Sequence, residues 1–276
     1  RGLVGSEMCI RDSNVTASDN APIRDARVTI SEPETAINPN SPIERLETDV
    51  SGQTQIVDLN TPPLEYSLNE NNENMPYANY NIQIEAPGYE TENISNVEIL
   101  PDSLSLQDVR MRRREGEQVE NIDIDPHTLY AEYPEKIPED EIKDVNEPGE
   151  IVLSRVVIPE YVVVHNGTPS SNARDYYVTY KDYIKNVASS EIYATWPRAT
   201  IEANVLAIMS FTLNRVYTEW YRNKGYDFTI TSSTAYDQKW IYGRNIFQSI
   251  DEVVDEIFDQ YLSRPDVRQP ILTQYC

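Results

Sequence analysis

Alternating apolar and polar residues characterise the first part of the chain and predict short β-strands. Residues 80–86 alternate strictly, so that one face of this strand is apolar and the other is polar. Similar short runs occur at 27–30, 55–59 and 103–106, and clusters of Asn, Pro and Gly separate them. Strands of this length and spacing predict an all-β unit, a small antiparallel sandwich over residues 14–113.

The pattern changes in the second half of the chain. The runs 151–158 and 161–164 are rich in β-branched residues, which is typical of buried strands. After Pro197, which suits a first helical turn, apolar residues recur at helical spacing until the helix stop expected near Gly225. Residues 151–276 are therefore predicted to form a mixed α/β domain with a long central helix.

Two kinds of segment are predicted to lie outside these domains. Residues 114–150 contain thirteen acidic and three basic residues and four prolines, which predicts an extended acidic linker. Residues 1–13 show no periodicity and resemble translated adapter sequence, so we predict that they are non-native. The apolar run 270–276 ends without a turn or a polar tail, which predicts that the native protein continues.

Composition restricts the partners and the compartment. The chain has 23 basic and 46 acidic residues, a formal net charge of −23. Duplex nucleic acid is an unexpected partner because phosphate binding needs a basic surface, so a neutral polysaccharide or a wall polymer of mixed charge fits better. No run of about 18 apolar residues predicts a membrane span. Cys9 and Cys276 lie near opposite ends and form no metal-type or disulfide framework, and no cofactor is expected.

One acidic residue is the candidate for chemistry. Glu191 lies among small and aromatic residues in the stretch 183–197, which carries little charge in an otherwise acidic chain. A lone carboxylate in a half-dry, aromatic-lined turn is expected to have a raised pKa and to act as a general acid. A glutamate beside a helix start, stabilised by the helix dipole, is the structural alternative. His165 has no acid or nucleophile at a spacing that predicts a catalytic triad.

Two motifs resemble known families. The stretch 183–197 and the long helix after it resemble the catalytic signature of the stage II sporulation protein D family, whose members are lytic transglycosylases. The residues that carry this resemblance are Tyr183, Val187, Ser190, Glu191, Trp196 and Pro197. The first part of the chain resembles the carboxypeptidase regulatory-like, transthyretin-type domain, through motifs in the stretches 26–30, 48–52 and 86–89. The order of the three parts, an all-β unit, an acidic linker and a mixed α/β domain, is similar to that of the spore cortex-lytic enzymes. Those enzymes are secreted zymogens activated by proteolysis during germination.

The resemblance implies an activity and a set of site residues. Glu191 would act as general acid and then as base, breaking the β-1,4 bond between N-acetylmuramic acid and N-acetylglucosamine to leave a 1,6-anhydro end. Residues expected to contact the sugar, each of which could equally be a surface or core residue, are Lys185, Ser190, Trp196, Asp237 and Gln238. Some members bind structural zinc through a Cys and a His in a loop where this chain has Tyr236 and Asp237, so no metal is expected.

The resemblance also implies partners and leaves alternatives. The partners would be peptidoglycan glycan strands and an activating protease, in an extracytoplasmic location at the spore cortex or the cell wall. A cell-wall-binding module without activity is one alternative. A peptidoglycan glycoside hydrolase that uses a second carboxylate, such as Asp237, is the other.

Overall fold

The fold is known from a computed structural model that describes residues 7–33, 42–116, 119–137 and 153–273, with the backbone alone described for 7–13. These residues are built mostly of β-strands in several sheets, with few helices. Contacts divide the chain into two compact units. The first comprises the described residues up to Pro126 together with Tyr193–Trp196 and Tyr242–Ser249, and the second comprises the remainder.

The first unit contains two sheets. The four-stranded sheet has the order β12, β7, β1, β4, from strands β1 (Glu7–Ala17), β4 (Val57–Asn60), β7 (Ser105–Met111) and β12 (Ile246–Phe247). The five-stranded sheet has the order β3, β2, β5, β6, β8, from strands β2 (Arg27–Ser31), β3 (Pro42–Glu47), β5 (Ala78–Glu85), β6 (Thr91–Ile99) and β8 (Val119–Asp123). A single helical turn, α1 (Glu65–Leu68), lies between β4 and β5.

Each sheet buries one apolar face, as in a β-sandwich. Val28, Ile84 and Ile94 are among the buried residues of the five-stranded sheet, and Val15 and Val109 are among those of the four-stranded sheet. Most neighbouring strands are antiparallel, as predicted from the sequence. The pairs β1–β7 and β6–β8 are parallel, which the sequence pattern did not predict.

The strands cross two of the predicted boundaries. β1 begins at Glu7 and pairs with β4 and β7, so the segment that we predicted to be non-native contributes backbone to the sheet. β8 lies within the predicted acidic linker and pairs with β6 through Ile94 and Ile122. β8 combines two apolar residues, Val119 and Ile122, with three polar or acidic residues in no alternating pattern, which explains why no strand was predicted there.

The second unit combines a small sheet with helices. Its strands are β9 (Tyr161–His165), β10 (Asp175–Thr179) and β11 (Ile230–Thr231), in the order β10, β9, β11. Its helices are α2 (Tyr180–Glu191), α3 (Arg198–Tyr217) and the greater part of α4 (Gln248–Ile257), with a 3₁₀ turn at Arg222–Lys224. Helix α2 packs on β9, β10 and α3.

Local chemistry fixes the ends of the helices. The Thr179 hydroxyl accepts a hydrogen bond from the Asp182 N–H at 3.2 Å and so caps the start of α2. Pro197 precedes α3, as predicted, because its fixed φ suits a helix start. Helix α3 ends at Tyr217, before the predicted stop, and the chain turns through the 3₁₀ segment to Gly225, which has a φ of 86°. That left-handed conformation favours glycine.

Candidate functional sites

Glu191, the predicted acid, is the last residue of helix α2 rather than part of a turn. Its side chain is half-buried, and Oε1 accepts a hydrogen bond from the backbone N–H of Lys239 at 2.7 Å. A carboxylate at a helix C-terminus is disfavoured by the helix dipole, and this amide bond offsets part of that cost. The contact joins α2 to the loop that carries Asp237, Gln238 and Lys239, so the side chain has a structural role in holding that loop.

Asp237 lies in the interior of the second unit, with an exposed fraction of 1%. One carboxylate oxygen accepts from Arg215 Nε at 2.8 Å. The other accepts from the Tyr221 hydroxyl at 2.6 Å and from both the backbone N–H and the hydroxyl of Thr231. Burial first, and then the charge of Asp237, raises the pKa of Tyr221, which therefore remains a neutral donor. These partners leave Asp237 enclosed in packing.

Gln238 is fully buried beside Asp237 and connects three elements. Its Oε1 accepts hydrogen bonds from the Thr212 hydroxyl at 2.8 Å and the Tyr183 hydroxyl at 3.1 Å. Its Nε2 donates to the Ile208 carbonyl at 3.0 Å. These three hydrogen bonds fix the loop against α2 and α3 in the interior.

The three remaining predicted sugar contacts are engaged within the protein. Lys185 Nζ forms ion pairs with Asp251 at 2.6 Å and Asp255 at 3.1 Å, and both belong to helix α4. Ser190 is fully buried and donates to a backbone carbonyl one helical turn earlier, at 2.9 Å. Trp196 belongs to the first unit, where its indole N–H donates to the Ser67 carbonyl at 3.1 Å. The structure therefore brings together only Glu191 and the loop of Asp237 and Gln238.

The structure corrects our interpretation of His165. Strands β9 and β10 pair so that His165 lies directly opposite Asp175, and Nδ1 is 2.7 Å from Oδ1 of that carboxylate. Its other nitrogen, Nε2, is 3.1 Å from the Ser171 hydroxyl in the connecting loop. The imidazole is buried and stacks on the Phe228 ring at 4.6 Å between centroids, whereas Ser171 is exposed. The Asp175 carboxylate, the His165 imidazole and the Ser171 hydroxyl thus lie on one hairpin, and the imidazole is within hydrogen-bonding distance of the other two groups.

A signal in the sequence could have shown this arrangement. The run 161–164 is a predicted strand, and a second strand, 175–179, follows after a loop rich in Ser, Pro and Gly. Reading the two as a hairpin would have placed Asp175 opposite His165, because residues on paired antiparallel strands face one another. Spacing along the chain does not indicate this contact, because it arises from the pairing of two strands across the hairpin.

A wide depression lies on the open face of the five-stranded sheet in the first unit. Its volume is about 1010 Å³, and its wall includes Gln83 on β5, Asn93 on β6 and Asn121 on β8. Gln83 Nε2 donates to Asn93 Oδ1 at 3.0 Å, and Asn93 Nδ2 donates to Asn121 Oδ1 at 3.0 Å. We call these three side chains the amide row. They lie in register across three strands.

The described part of the chain contains neither a metal-type cluster nor a candidate membrane span. Among the residues that the structure describes, no group of three or more His, Cys, Asp or Glu side chains is arranged to hold a metal ion. Within the same ranges, no helix combines the length and the apolar character needed to cross a bilayer.

Comparisons with known proteins give no family. No protein-family model and no curated protein matches the chain. Similar solved structures include catechol 1,2-dioxygenase from Acinetobacter radioresistens, which is 13% identical, with 43% of this chain and 58% of that chain covered and a TM-score of 0.25. The mercury-inhibited catechol 1,2-dioxygenase from Acinetobacter sp. ADP1 is 12% identical, with coverage of 44% and 59% and a TM-score of 0.26.

A third match has the same character. Chlorocatechol 1,2-dioxygenase from Pseudomonas putida is 16% identical, with 44% of this chain and 60% of that chain covered and a TM-score of 0.24. In each of the three matches the chain spans less than two thirds of the other protein. Structural agreement at this level transfers neither the fold nor the chemistry of those enzymes to this chain.

These findings correct the family assignment made from the sequence. No family model supports a stage II sporulation protein D domain or a transthyretin-type domain, and the structures found are catechol 1,2-dioxygenases rather than lytic transglycosylases. The predicted cleavage of peptidoglycan by Glu191 is therefore wrong. The expected role in the spore cortex, in sporulation and in germination as a zymogen depended on it and is wrong as well. The expected extracytoplasmic location and the expected partners stay predictions. Short motifs of small, aromatic and turn residues also recur for packing reasons alone, which explains the error.

Proposed function

We propose that the first unit binds an uncharged oligosaccharide carrying acetamido groups, in the depression on the open face of its five-stranded sheet. The observation that carries this proposal is the amide row, three primary amides joined in register across β5, β6 and β8. The proposal treats this unit as a binding module and assigns it no catalytic role.

The amide row leaves hydrogen-bonding capacity for a ligand. A primary amide has two N–H donors and an oxygen with two lone pairs. Asn93 uses one donor toward Asn121 and one lone pair toward Gln83, so one donor and one lone pair remain on the open side. A sugar acetamido group presents the complementary carbonyl and N–H, and sugar hydroxyls can donate as well as accept. Fixing the amides against one another reduces the side-chain entropy that a ligand would otherwise have to overcome.

The size and charge of the depression support the same ligand class. A volume of about 1010 Å³ is at the upper end of the range for small-molecule sites, which suits several sugar rings. The charged side chains on its wall are Arg27, Arg45 and Glu85, and the first pairs with the last at 3.5 Å. The depression is therefore close to neutral although the whole chain carries −23. A strongly anionic polymer would be repelled by the rest of the molecule.

Calorimetric titration of the full chain tests the proposal. The probes are the tetrasaccharide of β-1,4-linked N-acetylglucosamine and, as a comparison, cellotetraose, which has the same linkage without acetamido groups. We expect the acetylated probe to bind more tightly. The substitution Asn93→Ala should weaken its binding by about fivefold, because it breaks the centre of the row and removes ligand hydrogen bonds worth about 1 kcal/mol.

The control is Asn74→Ala, which removes an exposed amide from a loop of the same unit outside the depression. It should bind the acetylated probe as the wild type does. Absence of binding to the wild type, equal binding of cellotetraose, or an unchanged dissociation constant in Asn93→Ala would each contradict the proposal. Thermal melting of both variants checks that neither loses its fold.

A further inference from the structure

We propose that the β9–β10 hairpin of the second unit is an esterase site, in which Ser171 is the nucleophile, His165 the general base and Asp175 the positioning residue. The proposal rests on the second unit alone and is independent of saccharide binding by the first. It is carried by the two contacts in series, 2.7 Å from Asp175 to Nδ1 and 3.1 Å from Nε2 to the Ser171 oxygen.

The imidazole is held in one orientation by three elements. The β9–β10 pairing places His165 opposite Asp175, and the Phe228 ring stacks on the imidazole with an angle of 18° between the planes. The backbone carbonyl of His165 accepts the N–H of Ser232 at 2.9 Å, which ties the strand end to the neighbouring loop. A base that is fixed in this way loses little entropy when it accepts a proton.

The Ser171 hydroxyl is exposed and has two acceptors within reach of its single proton. It donates to the Thr168 carbonyl at 2.7 Å across the turn, and the imidazole Nε2 lies at 3.1 Å. Rotation about the Cα–Cβ and C–O bonds exchanges one acceptor for the other. When the hydroxyl points to Nε2 and Asp175 holds the proton on Nδ1, the geometry is that of an activated serine nucleophile.

The proposed reaction consumes only the ester and water and needs no other reactant. The Ser171 oxygen forms a bond to the acyl carbon while His165 Nε2 takes the hydroxyl proton. The bond between the acyl carbon and the alcohol oxygen then breaks, and the alcohol leaves with that proton. Water, deprotonated by the same nitrogen, attacks the acyl-serine, which releases the carboxylic acid and restores the Ser171 hydroxyl. The net reaction is ester plus water to acid plus alcohol.

Covalent labelling of the full chain tests the nucleophile. The chain is treated with an alkyl fluorophosphonate, and the modified residue is located by tandem mass spectrometry. We expect the adduct on Ser171. The matched control is Ser170→Ala, which removes the adjacent exposed hydroxyl of the same loop and should leave the labelling unchanged. Ser171→Ala should abolish it. No adduct, or an adduct on Ser170, overturns the proposal.

Hydrolysis of p-nitrophenyl butyrate tests the two other residues. Ser171→Ala should lower kcat/KM by at least about 100-fold, while Ser170→Ala should lie within about twofold of the wild type. Asp175→Asn should lower kcat with little change in KM, because the amide no longer holds the imidazole with its proton on Nδ1, and Asp175→Glu should restore part of the rate. A purely structural Asp175 would lower the melting temperature without lowering kcat. Wild-type turnover in Ser171→Ala, or a wild-type kcat in a folded Asp175→Asn, overturns the assignment.

Discussion

At the scale of single residues, Glu92 on β6 is a buried carboxyl group with a raised pKa. Its exposed fraction is 3%, and among the residues that the structure describes no hydrogen bond is made to its Oε1. Burial first, and then the nearby carboxylates of Glu120 and Glu90, raises its pKa to about 7, while Arg112 opposes the shift. The interior of the sandwich therefore contains an acid that is protonated in mildly acidic solution.

A prediction follows for the substitution Glu92→Gln. The pKa of Glu92 is higher in the folded chain than in the unfolded chain, so the folded state binds the extra proton between about pH 4.5 and 7. The wild-type free energy of unfolding should therefore fall as pH rises through this range, by about 2–3 kcal/mol. Glu92→Gln should remove that part of the pH dependence and be the more stable protein at pH 8, as measured by urea unfolding at several pH values.

The matched control for this prediction is Glu70→Gln, which removes an exposed carboxylate from a loop of the same unit. Its pH dependence should follow that of the wild type. If Glu92→Gln and the wild type have parallel stability curves between pH 5 and 8, the carboxyl group is not the source of the effect.

At the scale of elements, the turn after β3 shows how a few residues determine a connection. The Thr48 hydroxyl accepts from the Ala26 N–H at 2.9 Å and donates to the Ile23 carbonyl at 2.7 Å. The Asp49 carboxylate accepts from the N–H groups of Ser51 and Gln53 and from the Ser51 hydroxyl, and these bonds lower its pKa. Such side-chain-to-backbone bonds are why Asp is favoured in turns.

The glycine that closes this turn gives the second prediction. Gly52 has a φ of 79°, and a Cβ added there would lie 2.5 Å from the Val15 carbonyl oxygen. Gly88 has a similar φ of 85° but no atom within 4 Å of such a Cβ. Gly88→Ala should therefore cost about 1 kcal/mol for the left-handed backbone alone, and Gly52→Ala should cost roughly 3 kcal/mol or more. Urea midpoints of the two variants measure the difference, and equal costs would exclude the backbone clash.

The strands show which elements the pattern could predict. The runs 27–30, 55–59, 80–86 and 103–106 correspond to β2, β4, β5 and β7 within a few residues. β6 was not predicted because Glu92 and Glu98 are buried in it and Asn96 has a φ of 61°, where the pairing register with β5 changes. A bulge of this kind reverses the alternation of faces, so a period of two no longer holds along the strand.

At the scale of the whole molecule, net charge is the dominant property. The chain carries −23 from 23 basic and 46 acidic residues. Ion pairs such as Arg198 with Glu202, at 2.8 Å, engage part of the charge, but the acidic excess opposes the compact state by self-repulsion. This property follows from composition and needs no knowledge of the fold.

The third prediction is a stabilising effect of salt near neutral pH. Raising NaCl from about 10 mM to about 150 mM shortens the Debye length from roughly 30 Å to roughly 8 Å. The thermal midpoint at pH 7.5 should therefore rise by several degrees, as measured by circular dichroism. Near the isoelectric point of 4.4 the same salt step should change the midpoint little, because net repulsion is absent there. A midpoint that falls with salt at pH 7.5 would refute the repulsion argument.

The sequence by itself determined the properties that depend on neighbours along the chain. Alternation predicted four strands and Pro197 predicted a helix start, because each is set by local backbone and side-chain chemistry. Composition gave the acidic charge. The expected role of Glu191 failed because a motif does not specify which groups surround it.

Only the tertiary structure decided which distant residues meet. The β9–β10 hairpin brings Asp175 to His165, and the pairing of β5, β6 and β8 aligns the amide row. The enclosed pair of Arg215 and Asp237 joins residues from a helix and a loop that carry no common sequence pattern. Strand register and side-chain packing are set by the simultaneous burial of many apolar groups, which is a property of the whole chain and of no single segment.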